Sequence, residues 1–207
     1  MTQLNKLYYV YDPMCSWCWG YKPVWQQIVQ SLEGKVDIQY VVGGLAPDSD
    51  TPMPPEMRQQ IASYWQKIEN FLGTEFNYEF WTRCTPRRST YPSCRAALAA
   101  RKQSSEQKMI AAIQSAYYLE AQNPSDDDVL IQCAKSIGLD VEKFEQDYYS
   151  AELNQEFIQE LQFARSIGGN SFPSLFLETQ TGVIELPIDY QSAQTTLEQI
   201  GRLLVGR

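Results

Sequence analysis

Cys15 and Cys18 lie in the run YDPMCSWCWGYKP, residues 11–23, with Ser16 and Trp17 between them. Two thiols at this spacing can supply half of a metal site, close a small structural disulfide, or carry out thiol–disulfide exchange. Zinc asks for four ligands, and the chain has no histidine and no second CxxC. Cys84 and Cys94, with nine residues between them, lie in a different part of the chain. Five cysteines is an odd number, and in a reducing compartment paired cysteines usually mean metal or catalysis.

The surrounding pattern says where these thiols stand. KLYYVYD, residues 6–12, is near-continuously apolar and aromatic, as a strand buried on both faces should be, and Pro13 stops it. Val24, Trp25, Ile28, Val29 and Leu32 then recur at helical spacing, and Gly34 ends that helix. Val36, Ile38, Tyr40 and Val42 alternate as a second strand. A strand–helix–strand opening pairs its strands in parallel. Cys15 therefore falls just past a strand end, at a helix start, where ligand and active sites of α/β sheets gather. Unpaired N–H groups at a helix start favour an anion, and a thiolate is one. Cys15 is the expected exposed, attacking thiol. Cys18, one turn further in, is expected to be shielded and to resolve the mixed disulfide.

After a Gly-, Pro- and Asp-rich loop over 43–55, about 110 residues read as helical. Met57, Ile61, Tyr64, Trp65, Ile68 and Leu72 form one stripe, and Met109, Ile113, Ala116 and Tyr117 another. Ser125 and Asp128 resemble a capping box, Gly138 a helix stop, and Asp140 and Ser150 further N-caps. Leu175–Glu178 and Val183–Leu186 then form a hairpin across Gln180–Gly182, and an amphipathic helix closes the chain. The fold class is α/β. Segments 1–55 and 168–207 make a core with a mixed sheet, and 56–167 is an inserted helical cap.

The 207 residues are 43% hydrophobic and 13% aromatic, so a globular core is assured. A formal charge of −8 repels phosphate backbones and argues against nucleic acid. No run reaches the ~18 apolar residues of a membrane span, and the N-terminus lacks a signal-peptide pattern, so a cytoplasmic location is expected.

Taken together, the strand–helix–strand and strand–strand–helix halves, CSWC at the first helix, the GGNSFP loop (168–173) and the run PRRSTYPSCRAALAAR (86–101) resemble the thioredoxin fold in its DsbA-like form. Within it, the chain is most similar to FrnE-type predicted cytosolic protein-disulfide isomerases. The resemblance implies a dithiol–disulfide oxidoreductase with Cys15 as nucleophile and Cys18 as resolving thiol. It also implies that Pro173 is a cis proline beside them. The SFP loop, Ser171, Phe172 and Pro173, would then offer the Phe172 backbone to an extended substrate as an added strand. Trp17 stands where strongly oxidising periplasmic members carry histidine, so reduction or isomerisation is the implied direction. No metal and no prosthetic group are implied. The partners are disulfide-containing proteins or small thiols such as glutathione.

Other residues admit two readings. Arg83, Arg87, Arg88, Arg95, Arg101 and Lys102 crowd an acid-free stretch. They form either a solvated face or a seat for a carboxylate-bearing substrate, with Arg95 as the candidate contact. Cys84 and Cys94 are packing thiols or a regulatory pair. Asp12 is a turn residue or a proton acceptor for Cys18. Trp17, Trp19 and Tyr21 form an apolar substrate rim or pack inward. Two other functions stay open. Kappa-class glutathione transferases and 2-hydroxychromene-2-carboxylate isomerases resemble the same form but carry serine where this chain has Cys15. A non-enzymatic thiol, zinc or chaperone-like binding module is the other.

Overall fold

The computed structural model describes residues 4–205. Four strands, β1 (Lys6–Tyr11), β2 (Asp37–Val42), β3 (Ser174–Thr179) and β4 (Gly182–Leu186), form one sheet in the order β2-β1-β3-β4. β1 pairs with β2 in parallel and with β3 antiparallel; β3 and β4 form an antiparallel hairpin. This is a thioredoxin fold with a mixed sheet. Helix α1 (Ser16–Leu32) joins β1 to β2, and α9 (Gln194–Val205) follows β4. Between β2 and β3 run α2 (Pro55–Leu72), α3 (Phe80–Arg83), α4 (Tyr91–Arg101), α5 (Glu106–Tyr118), α6 (Asp127–Ser136), α7 (Val141–Tyr148) and α8 (Ala151–Ser166).

Strand alternation divides the core. Leu7, Tyr9 and Tyr11 of β1 face the cluster built by α1, where Tyr9 stacks on Trp25 at 4.3 Å. Tyr8 and Val10 face the other side, against Ala164 of α8 and Phe176 of β3. A third, aromatic cluster gathers Trp65, Phe76, Phe80, Tyr117 and Tyr118 around Met14, beside the thiol turn.

Caps explain most boundaries. Asp140 accepts from the Lys143 N–H at 3.1 Å and Ser150 from the Leu153 N–H at 3.0 Å, as expected for N-cap residues. Gly138 takes φ +78 behind α6. The Ser125/Asp128 capping box does not form. The N-cap of α6 is Asp126, and Ser125 Oγ donates instead to the Ser89 carbonyl at 2.6 Å, because that buried acceptor competes for the hydroxyl.

The arginine-rich stretch is mostly ion-paired within the fold, although Arg83 stays exposed. In α4, Pro92, Ser93, Cys94 and Ala96–Ala100 are all buried, so this helix runs through the core and its cations lie at its flanks. Acids from elsewhere in the chain meet them. Arg87 pairs with Asp126 at 2.6 Å, Arg95 with Asp48 at 2.8 Å and Lys102 with Glu156 at 3.1 Å. Arg101 binds Glu106, Glu160 and the Tyr40 carbonyl, tying α4 to α5, α8 and β2.

Candidate active site

Cys15 is the N-cap of α1, with φ −80 and ψ 114. Its sulfur accepts from the Cys18 N–H at 3.4 Å, and its backbone N–H donates to the Asp12 carbonyl at 3.0 Å. A cap whose acceptor is sulfur sets the reactive atom against the first turn's unpaired donors. The Cys15 thiol also donates to the Phe172 carbonyl at 3.4 Å, although 157 residues separate them. The Phe172–Pro173 bond is cis.

Both thiols are free, and both are buried: Cys15 is 6% exposed and Cys18 1%. The expected contrast between an open and a shielded sulfur is therefore small. The SFP loop lies on Cys15, and Tyr190 packs on Trp17 of the same turn. Burial pushes the Cys18 thiol well above the ordinary range. The hydrogen bond and charge interaction with Cys15 add to this.

Asp12 carries more of this site than a turn residue would. It is completely buried. Oδ1 accepts from the Met14 N–H at 2.8 Å; Oδ2 accepts from the Leu45 N–H at 2.7 Å and the Thr90 hydroxyl at 2.6 Å. The Cys94 thiol donates to the same Oδ2 at 3.5 Å. One carboxyl thus ties the thiol turn, the loop after β2 and the start of α4 together. These contacts, and not a bond to the Cys18 thiol, occupy it. Burial raises its pKa against the pull of these donors. Cys84 donates to the Ala121 carbonyl at 3.1 Å, so Cys84 and Cys94 have separate partners in the aromatic cluster and the main core.

Ser171, Phe172 and Pro173 line a groove of about 540 Å³ whose far wall is β4 and Tyr190. Trp17 packs on Tyr190 with ring centres 5.0 Å apart, which joins the CxxC turn to that wall. Trp19 stacks on Tyr118 at 5.5 Å and Tyr21 is fully buried, so the expected aromatic rim is mostly packing. Arg95 is not brought to the thiols. It grips Asp48 with both nitrogens and lines a separate polar crevice with Arg87 and Asp126–Asp128. Sequence reading missed Arg165, which donates to the Gly169 carbonyl at 2.6 Å and the Gly43 carbonyl at 2.7 Å with its guanidinium over the Phe172 ring. It clips the end of β2 to the SFP loop. Among the described residues no group of three or more cysteine, aspartate or glutamate side chains converges as a metal site would require.

A thioredoxin family model matches residues 8–183. The chain belongs to the thioredoxin family. Among solved structures, it superposes on a candidate protein disulfide isomerase from Nitrosomonas europaea with a TM-score of 0.87 and 26% identity, over 99% of this chain and 100% of that one. It superposes on the cytosolic disulfide reductase DsbM from Pseudomonas aeruginosa with a TM-score of 0.78 and 25% identity, over 96% and 99%. By sequence it is 24% identical over 180 residues to the ClpXP adapter protein SpxH of Bacillus subtilis, covering 84% of this chain and 59% of that protein. The SpxH of Halalkalibacterium halodurans is 26% identical over 151 residues, 70% of this chain and 49% of that protein. The chain spans about half the length of the curated relatives it matches. No helix among the described residues is long and apolar enough to cross a membrane.

Proposed function

We propose that this protein is a cytoplasmic dithiol–disulfide oxidoreductase that reduces or isomerises disulfides through Cys15 and Cys18. One observation carries the reading: Cys15 caps α1 directly beneath the Phe172 carbonyl, with a second thiol one turn further in. The Cys15 sulfur attacks a substrate disulfide. One substrate sulfur leaves with the electron pair and takes a proton, and the other stays bonded to Cys15. Cys18 then gives up its proton and attacks the Cys15 sulfur, which releases the second substrate thiol and leaves a Cys15–Cys18 disulfide. Ser171, Phe172 and Pro173 hold the substrate chain along the groove, and Trp17 supports its wall through Tyr190. Two equivalents of a small thiol such as glutathione return the oxidised centre to the dithiol. The first forms a mixed disulfide with Cys15 and frees the Cys18 thiol; the second attacks the small-thiol sulfur and leaves as the small-thiol disulfide, freeing Cys15. The likeness to DsbM supports this choice: that protein is a cytosolic disulfide reductase that has also been solved with glutathione.

Equilibration in glutathione buffers, acid quenching and mass spectrometry test the reading. A Cys15–Cys18 disulfide should form and disappear in a single two-electron step, and the protein should catalyse reduction of a glutathione mixed disulfide. Absence of both the internal disulfide and turnover would contradict it.

The SpxH relatives favour a second reading, a protein-binding adapter. An adapter would keep its partner binding when Cys15 and Cys18 are both serine. An oxidoreductase that holds partners as mixed disulfides would lose it.

A further inference from the structure

A cavity of about 810 Å³ opens on the side of α1 away from the SFP groove, between α1, β2 and α5. Its volume is that of a small-molecule site. Trp25, Val29, Ile38, Tyr40, Ile110 and Ala111 give it an apolar floor and walls. Charge is segregated along it. Cys18 and Lys22 line the end nearest the thiol turn, whereas Glu33 and Asp37 line the end where α1 passes into β2. Gln114 of α5, four residues before Tyr118, lines the same cavity as Lys22.

Two polar groups lining the cavity make no side-chain hydrogen bond or ion pair among the described residues. Lys22 is half-buried, which lowers its pKa, and makes no ion pair among the described residues; its ammonium lies 4.9 Å from the Trp19 ring centre, on the ridge shared with a smaller crevice. Gln114 is only 4% exposed, and its side-chain amide bonds to no described group. Lys22 and Gln114 line one apolar trough, and an ammonium and an amide donor at its edge suit a carboxylate whose tail runs toward Val29 and Ile38. The acids at the far end repel the opposite orientation.

From this arrangement we infer that the cavity binds an acyl carboxylate, head toward Lys22 and Gln114 and tail along α1, so that the ligand covers Cys18. The site goes beyond disulfide exchange and stands or falls separately from it.

Calorimetry of the full chain with dodecanoate, below its micelle concentration, tests this. Saturable one-to-one binding is expected. Ala111→Trp and, independently, Val29→Trp should weaken it at least tenfold by filling the trough, with folding checked by circular dichroism. Lys22→Gln should weaken it about tenfold, and dodecylamine should bind more weakly than dodecanoate. In the Cys15→Ser protein, which cannot turn over disulfides, bound dodecanoate should slow alkylation of Cys18 at a pH that permits it. No saturable binding, unchanged affinity in both folded tryptophan variants, tighter binding of the amine, or no protection of Cys18 would each overturn the proposal.

Discussion

At the scale of single residues, both sulfurs are buried, and burial sets the chemistry of Cys18. Cys18 is enclosed and faces the Cys15 sulfur, so its thiol stays protonated well past the usual range. In a Cys15→Ser protein the largest cause, burial, remains. Cys18 should then react with iodoacetamide only above the ordinary thiol value of 9.0. Modification at neutral pH as fast as that of an exposed thiol would contradict this. Asp12 gives a second test. Its folded-state pKa lies above the ordinary 3.8, so the native protein keeps a proton that the unfolded chain has lost. Stability from this group is full below that value and falls as pH rises toward the folded-state pKa, beyond which it levels off. Asp12→Asn removes the titration. Urea midpoints across that window should therefore move in the variant's favour, relative to the parent, as pH rises; parallel curves would count against the assignment. The CxxC pair was legible in the sequence because its geometry is local. The network of Asp12 was not, because its partners Leu45, Thr90 and Cys94 lie 33, 78 and 82 residues along the chain.

At the scale of elements, the site is a meeting of a helix start and two loops, and the loops leave little room. A methyl group added at Gly43 would overlap the Phe172 ring. Gly43 also donates to the Tyr11 carbonyl at 2.6 Å and is bonded by Arg165, so its backbone cannot step aside. Gly43→Ala should cost about 1–3 kcal/mol, as overpacking of a tight contact does. It should also lower disulfide turnover by shifting the Phe172 carbonyl off Cys15. Thermal melts and turnover measured on the same preparation check this. Unchanged activity in a destabilised variant would separate the loop from catalysis. Caps and strands were readable because a single residue type decides each: Asp140, Ser150 and Gly138 act as their chemistry dictates. Helix α4 was misleading. Its interior is alanine and small polar residues, weakly apolar on paper, while arginines crowd its flanks. Only the distant acids Asp48, Asp126, Glu156 and Glu160 reveal that Arg95, Arg87, Lys102 and Arg101 are internally matched.

At the scale of the molecule, the sheet joins the two ends of the chain: β1 lies between β2 and β3, and seven helices among the described residues intervene in sequence. This brings the carbonyl before Pro173 onto a thiol at position 15. The order of strands and helices was legible because each half of the sheet is locally encoded. The seating of the helices on the thiol turn was not, since Met14 and Trp19 meet Tyr118 and Trp65 only through tertiary packing. The central claim is that Cys15 attacks and Cys18 resolves. It is tested most directly by incubating the Cys15→Ser and Cys18→Ser proteins with a disulfide-bonded peptide and mapping adducts by non-reducing mass spectrometry. The account predicts a mixed disulfide on Cys15 that accumulates in the Cys18→Ser protein and no adduct in the Cys15→Ser protein. An adduct on Cys18 in the Cys15→Ser protein, with none on Cys15 in the other, would contradict it.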